Sequence, residues 1–258
     1  MRIGSASLQH WLLPLAALAA WEIFGSASML PRYLSAPSAI LAALWELTRS
    51  GELFAALAAS LYRVGAGFTL GTAAGVLVGL GAGMLPGVRH FFDPLVSFLY
   101  PVPKIAFLPV FLLLLGLGHG SKIAIIAFSG FFPVFIASRH AVLSVNPLLL
   151  WTARNMGARE RTIFFRVIVP AAAPELFAGI RIGLAHAFVV LFAAELIGSK
   201  AGLGTIISYG EEWVRFDLML AGIVCFAVLG FASDRVLLAV RSRLLKGQMI
   251  GTEEQVAR

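Results

Sequence analysis

The stretch TARNMGARERTIFFRVIVPAAAPELFAGIRIG at residues 152–183 is a basic segment between two long apolar parts of the chain. Gly157 lies near its start, and Pro170 and Pro174 lie further along. Four arginines stand in this segment before the first proline, namely Arg154, Arg159, Arg161 and Arg166. A loop that only joined two spans could be shorter. We therefore expect this basic segment to serve a polar partner outside the bilayer.

The composition of the chain is typical of a membrane protein. Of its 258 residues, 59% are hydrophobic and only 13% are charged, and the mean hydropathy is +0.90. A soluble domain usually has a charged fraction of about 25%. We therefore expect a polytopic membrane protein rather than an unusually apolar soluble helical protein.

The sequence lacks the motifs of the common enzyme and metal sites. Its single cysteine, Cys225, excludes a disulfide within the chain, and there is no Cys/His cluster. It has no GxxxxGK[ST] phosphate loop, since the nearest string, GLGHGSK at 116–122, has the wrong spacing. HExxH and GxSxG are also absent. We predict no catalytic residue, no metal and no cofactor bound by this chain.

Six apolar windows are long enough to cross a bilayer. They lie at 8–28, 64–85, 96–118, 121–139, 175–198 and 216–240. The first is interpreted as a retained span rather than a cleaved signal peptide, because its apolar run continues through Phe24 without a cleavage site. Residues 37–62 carry Glu46, Arg49 and Glu52, which predicts an interfacial helix pair on the outer face instead of a span.

The distribution of Lys and Arg predicts the orientation. With both termini in the cytoplasm, more basic residues lie inside than outside, and the basic segment at 152–183 is cytoplasmic. Cytoplasmic loops of membrane proteins carry such an excess. We predict a multi-pass membrane protein with the N-terminus and the C-terminus inside.

The second window carries a glycine at every fourth position. These residues are Gly67, Gly71, Gly75, Gly79 and Gly83. Small residues in one register along a membrane helix let two backbones approach closely. The pattern predicts a tight helix–helix seam, either within the subunit or at a dimer interface.

Two windows contain candidates for a translocation path or a gate. Pro101 and Pro103 predict a kink or interruption in the third window, which is followed by Lys104. The fifth window contains His186 and Glu195, and charge inside a membrane is costly unless it faces a cavity or a partner. Alternatives are that Lys104 snorkels to the inner surface and that the other two make structural hydrogen bonds.

The basic segment resembles the EAA signature of permease subunits of ATP-binding-cassette importers, roughly E-A-A-x-x-x-G followed by I-x-L-P. Thr152 and Ala153 match the two alanines, Gly157 matches the glycine, and Ile168-Val169-Pro170 closes the element. Trp151 stands where the family usually has glutamate, so a contact made by that glutamate is not carried over.

The resemblance covers most of the chain. Three further stretches are similar to the sulfonate, nitrate and taurine branch: YPVPKIAFLPVFLLLLGLG, GSKIAIIAFSGFFPVFI and AAELIGSKAGLGTIISYG. The implied fold is an all-α membrane protein with six transmembrane helices, a type I importer (MetI-like) transmembrane domain. The implied division is a first span with outer interfacial helices at 1–56, the transmembrane domain at 57–240 with a coupling loop at 141–173, and a cytoplasmic tail at 241–258.

In this family a short helix of the cytoplasmic loop docks on the ATPase subunit. Pro147 to Met156 can form such a helix, and Gly157 can end it in a left-handed conformation. The implied coupling residues are Trp151, Thr152, Ala153, Arg154, Asn155, Met156, Gly157, Ala158 and Arg159. Their arginines either meet an acidic surface of the ATPase or serve topology and anionic lipid.

The resemblance also implies the partners and the solute. Two ATPase subunits would bind ATP and Mg, a second permease copy would complete a homodimer, and a periplasmic or lipid-anchored binding protein would deliver the solute. The implied location is the bacterial inner membrane, where lipid surrounds the chain, and no nucleic acid is expected. The solute would be a small organic anion such as an aliphatic sulfonate or taurine, or nitrate. A heterocyclic vitamin precursor or an aromatic acid is the alternative, and a stand-alone secondary transporter is another class.

Overall fold

The computed structural model describes residues 6–27 and 29–245, and these are predominantly helical. The predicted all-α class is confirmed. The helices are α1 (Ala6–Ser26), α2 (Pro37–Ser50), α3 (Glu52–Met84), α4 (Pro86–Leu99), α5 (Leu108–Leu115), α6 (His119–Leu143), α7 (Pro147–Asn155), α8 (Glu160–Ile163), α9 (Val169–Leu196), α10 (Leu203–Glu212) and α11 (Phe216–Leu244).

Within the described part of the chain, four helical segments are long and apolar enough to cross a membrane. They are Glu52–Met84, His119–Leu143, Glu160–Leu196 and Phe216–Leu244. A bent pair, Pro86–Leu99 with Lys104–Leu115, passes the same test when it is taken as one unit, and α1 contributes a shorter apolar stretch at Leu12–Ser26. Residue 28 of the first predicted window and residues 246–258 of the predicted tail lie outside the described part.

The outer helix pair predicted at 37–62 is wrong in its second half. Only α2 is a separate short helix, and it ends at Gly51, whose φ of +80° provides a left-handed C-cap. From Glu52 onward one continuous helix of 33 residues runs through the second window. The sequence between Glu52 and Gly65 contains no proline or glycine, so nothing interrupts the helix where the window was taken to begin.

The third window is interrupted where its prolines predicted it. α4 ends at Leu99, the chain resumes as a tight 3₁₀ turn at Lys104–Phe107, and the two halves are bent by 96°. Pro101 and Pro103 offer no backbone N–H, and a helix through both would lose two hydrogen bonds. The first half of this broken segment begins at Pro86, ten residues before the predicted window.

The described chain divides into two compact units. One contains the described residues of 1–60 together with 195–228, and the other contains 61–194 together with 229–245. α6 supplies much of the core of the second unit, where Ile125, Phe132 and Phe135 are almost completely buried.

The glycine stripe of α3 packs on α6 within the subunit. A Cβ added to Gly75 would lie 2.9 Å from the carbonyl oxygen of Phe131 and 2.9 Å from Cβ of Val134. The other four stripe glycines also face α6, at Ile126, Ala127, Phe135 and Val142 in chain order. Of the two predicted placements, the described contacts therefore put the seam inside the chain.

A second contact through small residues joins α6 to α9. Gly183 of α9 lies against Val134 and the Gly130 carbonyl, and Gly179 lies against Ala137. Membrane helices gain little hydrophobic free energy by associating in lipid, so close backbone packing of this kind holds them together. α6 is thereby fixed on two sides.

Candidate functional site

The helix of the predicted coupling loop is α7, and its start is defined by Asn146 and Pro147. The Asn146 side chain accepts a hydrogen bond of 2.9 Å from the Leu148 N–H, which caps one of the free donors of the first turn. Pro147 occupies the first helical position, where its missing N–H costs nothing. Asn146 and Pro147 therefore start a helix at this position through local interactions alone.

The end of α7 is a Schellman turn built on Gly157. Gly157 has a φ of +75°, its N–H donates to the Arg154 carbonyl at 2.9 Å, and the Ala158 N–H donates to the Ala153 carbonyl at 3.1 Å. A side chain is disfavoured in this conformation. The predicted left-handed turn is confirmed, and the helix ends at Asn155, one residue before the predicted end.

The two faces of α7 differ. Leu150 and Ala153 pack against a buried cluster, which consists of Ala141, Val142, Val145, Ile163, Ile168 and Ala172. The opposite face exposes Trp151, which is 61% accessible, and Met156 beyond the helix end, which is 82% accessible. Large apolar side chains that remain exposed on a short anchored helix are typical of a protein–protein contact.

The second arm of the loop is held by an ion pair and a widened turn. Arg154 Nε lies 3.1 Å from Glu160 Oε1, which ties the end of α7 to the start of α8. A π-helical turn follows at Phe164–Ile168 and leads into α9. Pro170 supplies no N–H and crowds the turn before it, so the wider turn lets the helix continue.

Lys104 lies at the bend between α4 and α5. Its ammonium donates to the carbonyl oxygens of Tyr100 at 2.6 Å and Val102 at 2.9 Å, and it sits 4.7 Å from the centre of the Phe132 ring. It thus stabilises the carbonyls at the end of α4. The neighbouring Pro101 and Pro103 are exposed.

His186 of α9 is exposed in the middle of its span. It lies within electrostatic range of the Lys104 ammonium, so the structure brings these two predicted path residues into one region of the second unit. An exposed polar group at this depth is costly against lipid and favourable against a water-filled path.

Glu195 belongs to the other unit, where it is 1% exposed. Its carboxylate accepts hydrogen bonds from the Ser60 hydroxyl and, at 3.0 Å, from the Gly204 N–H in the first turn of α10. Gly202 and Gly204 leave the space that this carboxylate occupies. These contacts give Glu195 a structural role as a helix cap, which is one of the alternatives that the sequence left open.

The sequence patterns did not single out Ser60, nor the ion pair of Asp93 on α4 with Arg139 on α6. Arg139 Nη2 lies 2.7 Å from Asp93 Oδ2. An acid inside an apolar helix was the available signal, because such a residue needs a partner. Residues 6–27 and 29–245 contain no group of three or more His, Cys, Asp and Glu side chains that could hold a metal ion.

Comparison with known proteins places the chain among transport proteins. Residues 71–246 match the family described as binding-protein-dependent transport system inner membrane component. The protein of Bacillus subtilis that bears the name aliphatic sulfonates transport permease protein SsuC is 36% identical over 240 residues, which cover 91% of this chain and 86% of that protein. The taurine transport system permease protein TauC of Escherichia coli is 34% identical over 231 residues, covering 87% and 83%.

Solved structures agree on the fold. A chain of the MetNI methionine ABC transporter in an inward-facing conformation superimposes with a TM-score of 0.52 at 22% sequence identity. The match covers 76% of this chain and 96% of that one. This similarity supports the MetI-like fold that the sequence predicted.

Proposed function

The chain belongs to the family of binding-protein-dependent transport system inner membrane components, and we propose that it forms the translocation path of an ATP-driven importer for a small organic anion. Aliphatic sulfonates and taurine are the favoured solutes, and nitrate is the inorganic alternative. The chain is a transport subunit, and ATP hydrolysis belongs to a separate subunit of the complex.

The family match over residues 71–246 carries this proposal. Two relatives that are at least 34% identical over most of their length bear names that refer to aliphatic sulfonates and taurine. Both solutes are small and carry a sulfonate group, so the same kind of binding site can recognise either of them. The substrate part of the proposal rests on those names, and the transport part rests on the family.

α7 is the proposed contact for the ATPase subunit. Its inner face is anchored in the core of the second unit, while Trp151 and the turn at Gly157 are exposed. A displacement of α7 is transmitted to α6 and α9, because α7 packs against the buried cluster to which Ala141 of α6 and Ala172 of α9 belong. ATP binding moves the spans only if it favours one of their arrangements over the other.

The proposed assembly contains two copies of this chain and two ATPase subunits, which bind ATP and Mg. A periplasmic or lipid-anchored binding protein delivers the solute to the outer side. Both termini of the chain lie in the cytoplasm, and the coupling loop lies there too. Pro101, Pro103, Lys104 and His186 line the path, in keeping with their exposed or half-buried position in the spans.

Reconstitution tests the proposal directly. The chain is co-expressed with an ATPase subunit and a solute-binding protein of this importer class, and the complex is placed in proteoliposomes. We expect uptake of taurine or ethanesulfonate that requires ATP and the binding protein. Uptake that continues without an ATPase subunit would contradict the proposal. Uptake of an uncharged solute alone would contradict its substrate part.

A further inference from the structure

A polar cleft runs between α4 and α6 in the second unit. Its cavity of about 410 Å³ is lined on one side by Asp93, Val96 and Ser97 of α4 and by Tyr100 just beyond its end, and on the α6 side by Phe135, Ile136 and Arg139. Residues spaced by three, four or seven positions share one face of a helix. The two lining sets therefore form facing stripes, and a volume of this size suits a small ligand.

Only part of the Arg139 guanidinium group is hydrogen-bonded in this cleft. Nη2 donates to Asp93 Oδ2 at 2.7 Å, whereas Nε is buried and has no hydrogen-bond partner among the described residues. The side chains of Arg139 and Asp93 are 29% and 30% exposed. A guanidinium group offers five donors in a planar fork, so this ion pair leaves capacity for an oxyanion.

The rest of the stripe also favours an anion. Ser97 and Tyr100, which line the cavity, carry hydroxyl groups that can donate to an oxyanion. Lys104 lies beside Tyr100 and above Phe132, and two of its three N–H groups are used. Phe132 precedes Arg139 by seven positions on α6, a rise of about 10 Å. Arg139 is the basic residue and Asp93 the acidic residue of the cavity lining, and Lys104 lies next to the lining at Tyr100.

We propose that this cleft binds the oxyanion group of the transported solute, with Arg139 as the residue that receives it and Asp93 as an internal competitor. The inference rests on the proposed function, because it assigns a residue to the solute of that importer. A sulfonate group presents oxygens that match the guanidinium fork. The Asp93 carboxylate occupies the same fork when the solute is absent.

The competition between Asp93 and the solute gives the site a property that transport requires. A transport site has to bind well enough to be entered and weakly enough to be left. Displacing Asp93 from Arg139 costs part of the binding free energy, so the cleft holds an anion only briefly. A lipid phosphate shares the oxyanion chemistry, and the experiment has to separate the two sources.

Equilibrium binding of radiolabelled ethanesulfonate to the permease–ATPase complex tests the assignment. The complex is placed in nanodiscs of phosphatidylcholine without the binding protein. Asp93→Asn removes the competitor, so we expect the affinity to rise roughly tenfold. Arg139→Gln should lower the affinity roughly tenfold, and Arg139→Lys should fall between it and the wild type because it keeps the charge without the fork.

The matched control is Arg89→Gln, which removes one positive charge from the same helix as Asp93 but does not line the cavity. Its affinity should equal that of the wild type. Thermal stability of every variant is recorded in parallel. If Asp93→Asn and Arg139→Gln both lower stability and neither changes the affinity, the pair is a structural brace and the inference is wrong.

Two further outcomes are decisive. If ethanesulfonate does not bind, and phosphatidylglycerol is instead retained in an Arg139-dependent way, the ligand is a lipid headgroup and the inference is wrong. Failure of the proposed function is a separate result. Wild-type complex that binds ethanesulfonate with the expected variant pattern, yet transports no sulfonate in proteoliposomes, contradicts the proposed function and leaves the anion site standing.

Discussion

The hydroxyl group of Ser60 lies 2.9 Å and 2.8 Å from the two carboxylate oxygens of Glu195, 135 positions later in the chain. The same hydroxyl accepts a hydrogen bond of 2.9 Å from the Leu203 N–H. Both side chains are almost completely buried. One serine therefore joins the carboxylate at the end of α9 to the first residue of α10.

Ser60→Ala should destabilise the protein by about 1–3 kcal/mol, because it leaves the Leu203 N–H buried without its acceptor. Thermal unfolding of the purified complex, followed by fluorescence-detected size exclusion, measures the effect. The control is Ser242→Ala, whose hydroxyl is exposed and bonds only to the Ala239 carbonyl. Equal melting temperatures for the two variants would contradict the assigned role.

Gly75→Ala should destabilise the seam between α3 and α6 by about 1–3 kcal/mol, since the added methyl group meets backbone that has to move. Gly65→Ala is the matched control on the same helix, because no atom lies within 4 Å of the added Cβ. Gly75→Leu should be more damaging than Gly75→Ala. A wild-type melting curve for Gly75→Leu would show that the seam is looser than described.

Gly157→Ala should strain the turn after α7 by about 1–2 kcal/mol, and Gly157→Pro should break it. We expect ATP hydrolysis to continue while its stimulation by solute-loaded binding protein is lost. ATPase activity of the reconstituted complex, with and without solute, measures this coupling. Gly118→Ala is the control, because Gly118 has an ordinary negative φ and open space around it. Unchanged coupling in Gly157→Pro would exclude a role for the turn.

Trp151→Ala should weaken binding of the ATPase subunit by more than about 1 kcal/mol, because exposed tryptophans at the centre of an interface often dominate its energy. The amount of ATPase that co-purifies at a series of dilutions reports the loss. Trp213→Ala removes a tryptophan of the other unit that is 76% exposed and should leave co-purification unchanged. If Trp213→Ala reduced co-purification of the ATPase more than Trp151→Ala, the ATPase contact would not lie on α7.

The ion pair of Glu46 with Arg215 predicts a dependence of stability on pH. Two hydrogen bonds, of 2.9 and 3.1 Å, join these side chains. Arg215 donates to the Glu46 carboxylate and adds a favourable charge, which lowers the pKa of Glu46 below its ordinary value. A lowered carboxyl pKa stabilises the folded state above the ordinary glutamate pKa of about 4.3. This contribution disappears as the pH falls through the lower pKa of the folded state.

Glu46→Gln should therefore melt at a slightly lower temperature than the wild type at neutral pH, and the difference should close in acid. Melting temperatures measured from pH 7 down to pH 3 give the comparison. The effect is small, because both side chains are largely exposed and salt screens them. A difference that grows in acid would reverse the assigned sign.

Features that depend on a few neighbouring residues were predictable from the sequence. The left-handed turn at Gly157 follows from a glycine placed after a short helix, and the break at Pro101 and Pro103 follows from two missing N–H groups. The glycine stripe of α3 predicted a seam because small residues in one register let two backbones approach closely. At the turn and at the break, the chemistry of the backbone decides the local geometry before any tertiary contact is made.

Features that depend on distant partners were not predictable. The choice between the two placements of the glycine seam required the position of α6, and the role of Glu195 required Ser60 and Gly204. The pair of Asp93 with Arg139 joins residues 46 positions apart. Hydropathy also misplaced the start of α3, because the polar residues Glu52 and Arg63 belong to the same helix as the apolar window.

The start of α7 is specified by Asn146 and Pro147, and its end by Gly157, through one side-chain cap and a set of hydrogen bonds between backbone groups. Apart from Thr152, which bonds to the Leu148 carbonyl, and Arg154, which pairs with Glu160, the exposed side chains between these positions take no part in building the helix. They are therefore free to diverge without loss of the scaffold. With the proposed ATPase contact at α7, a permease of this kind would adapt to a new motor by exchanging a handful of surface residues, and chimeras that swap only the exposed positions of 148–156 should recruit the motor of the donor.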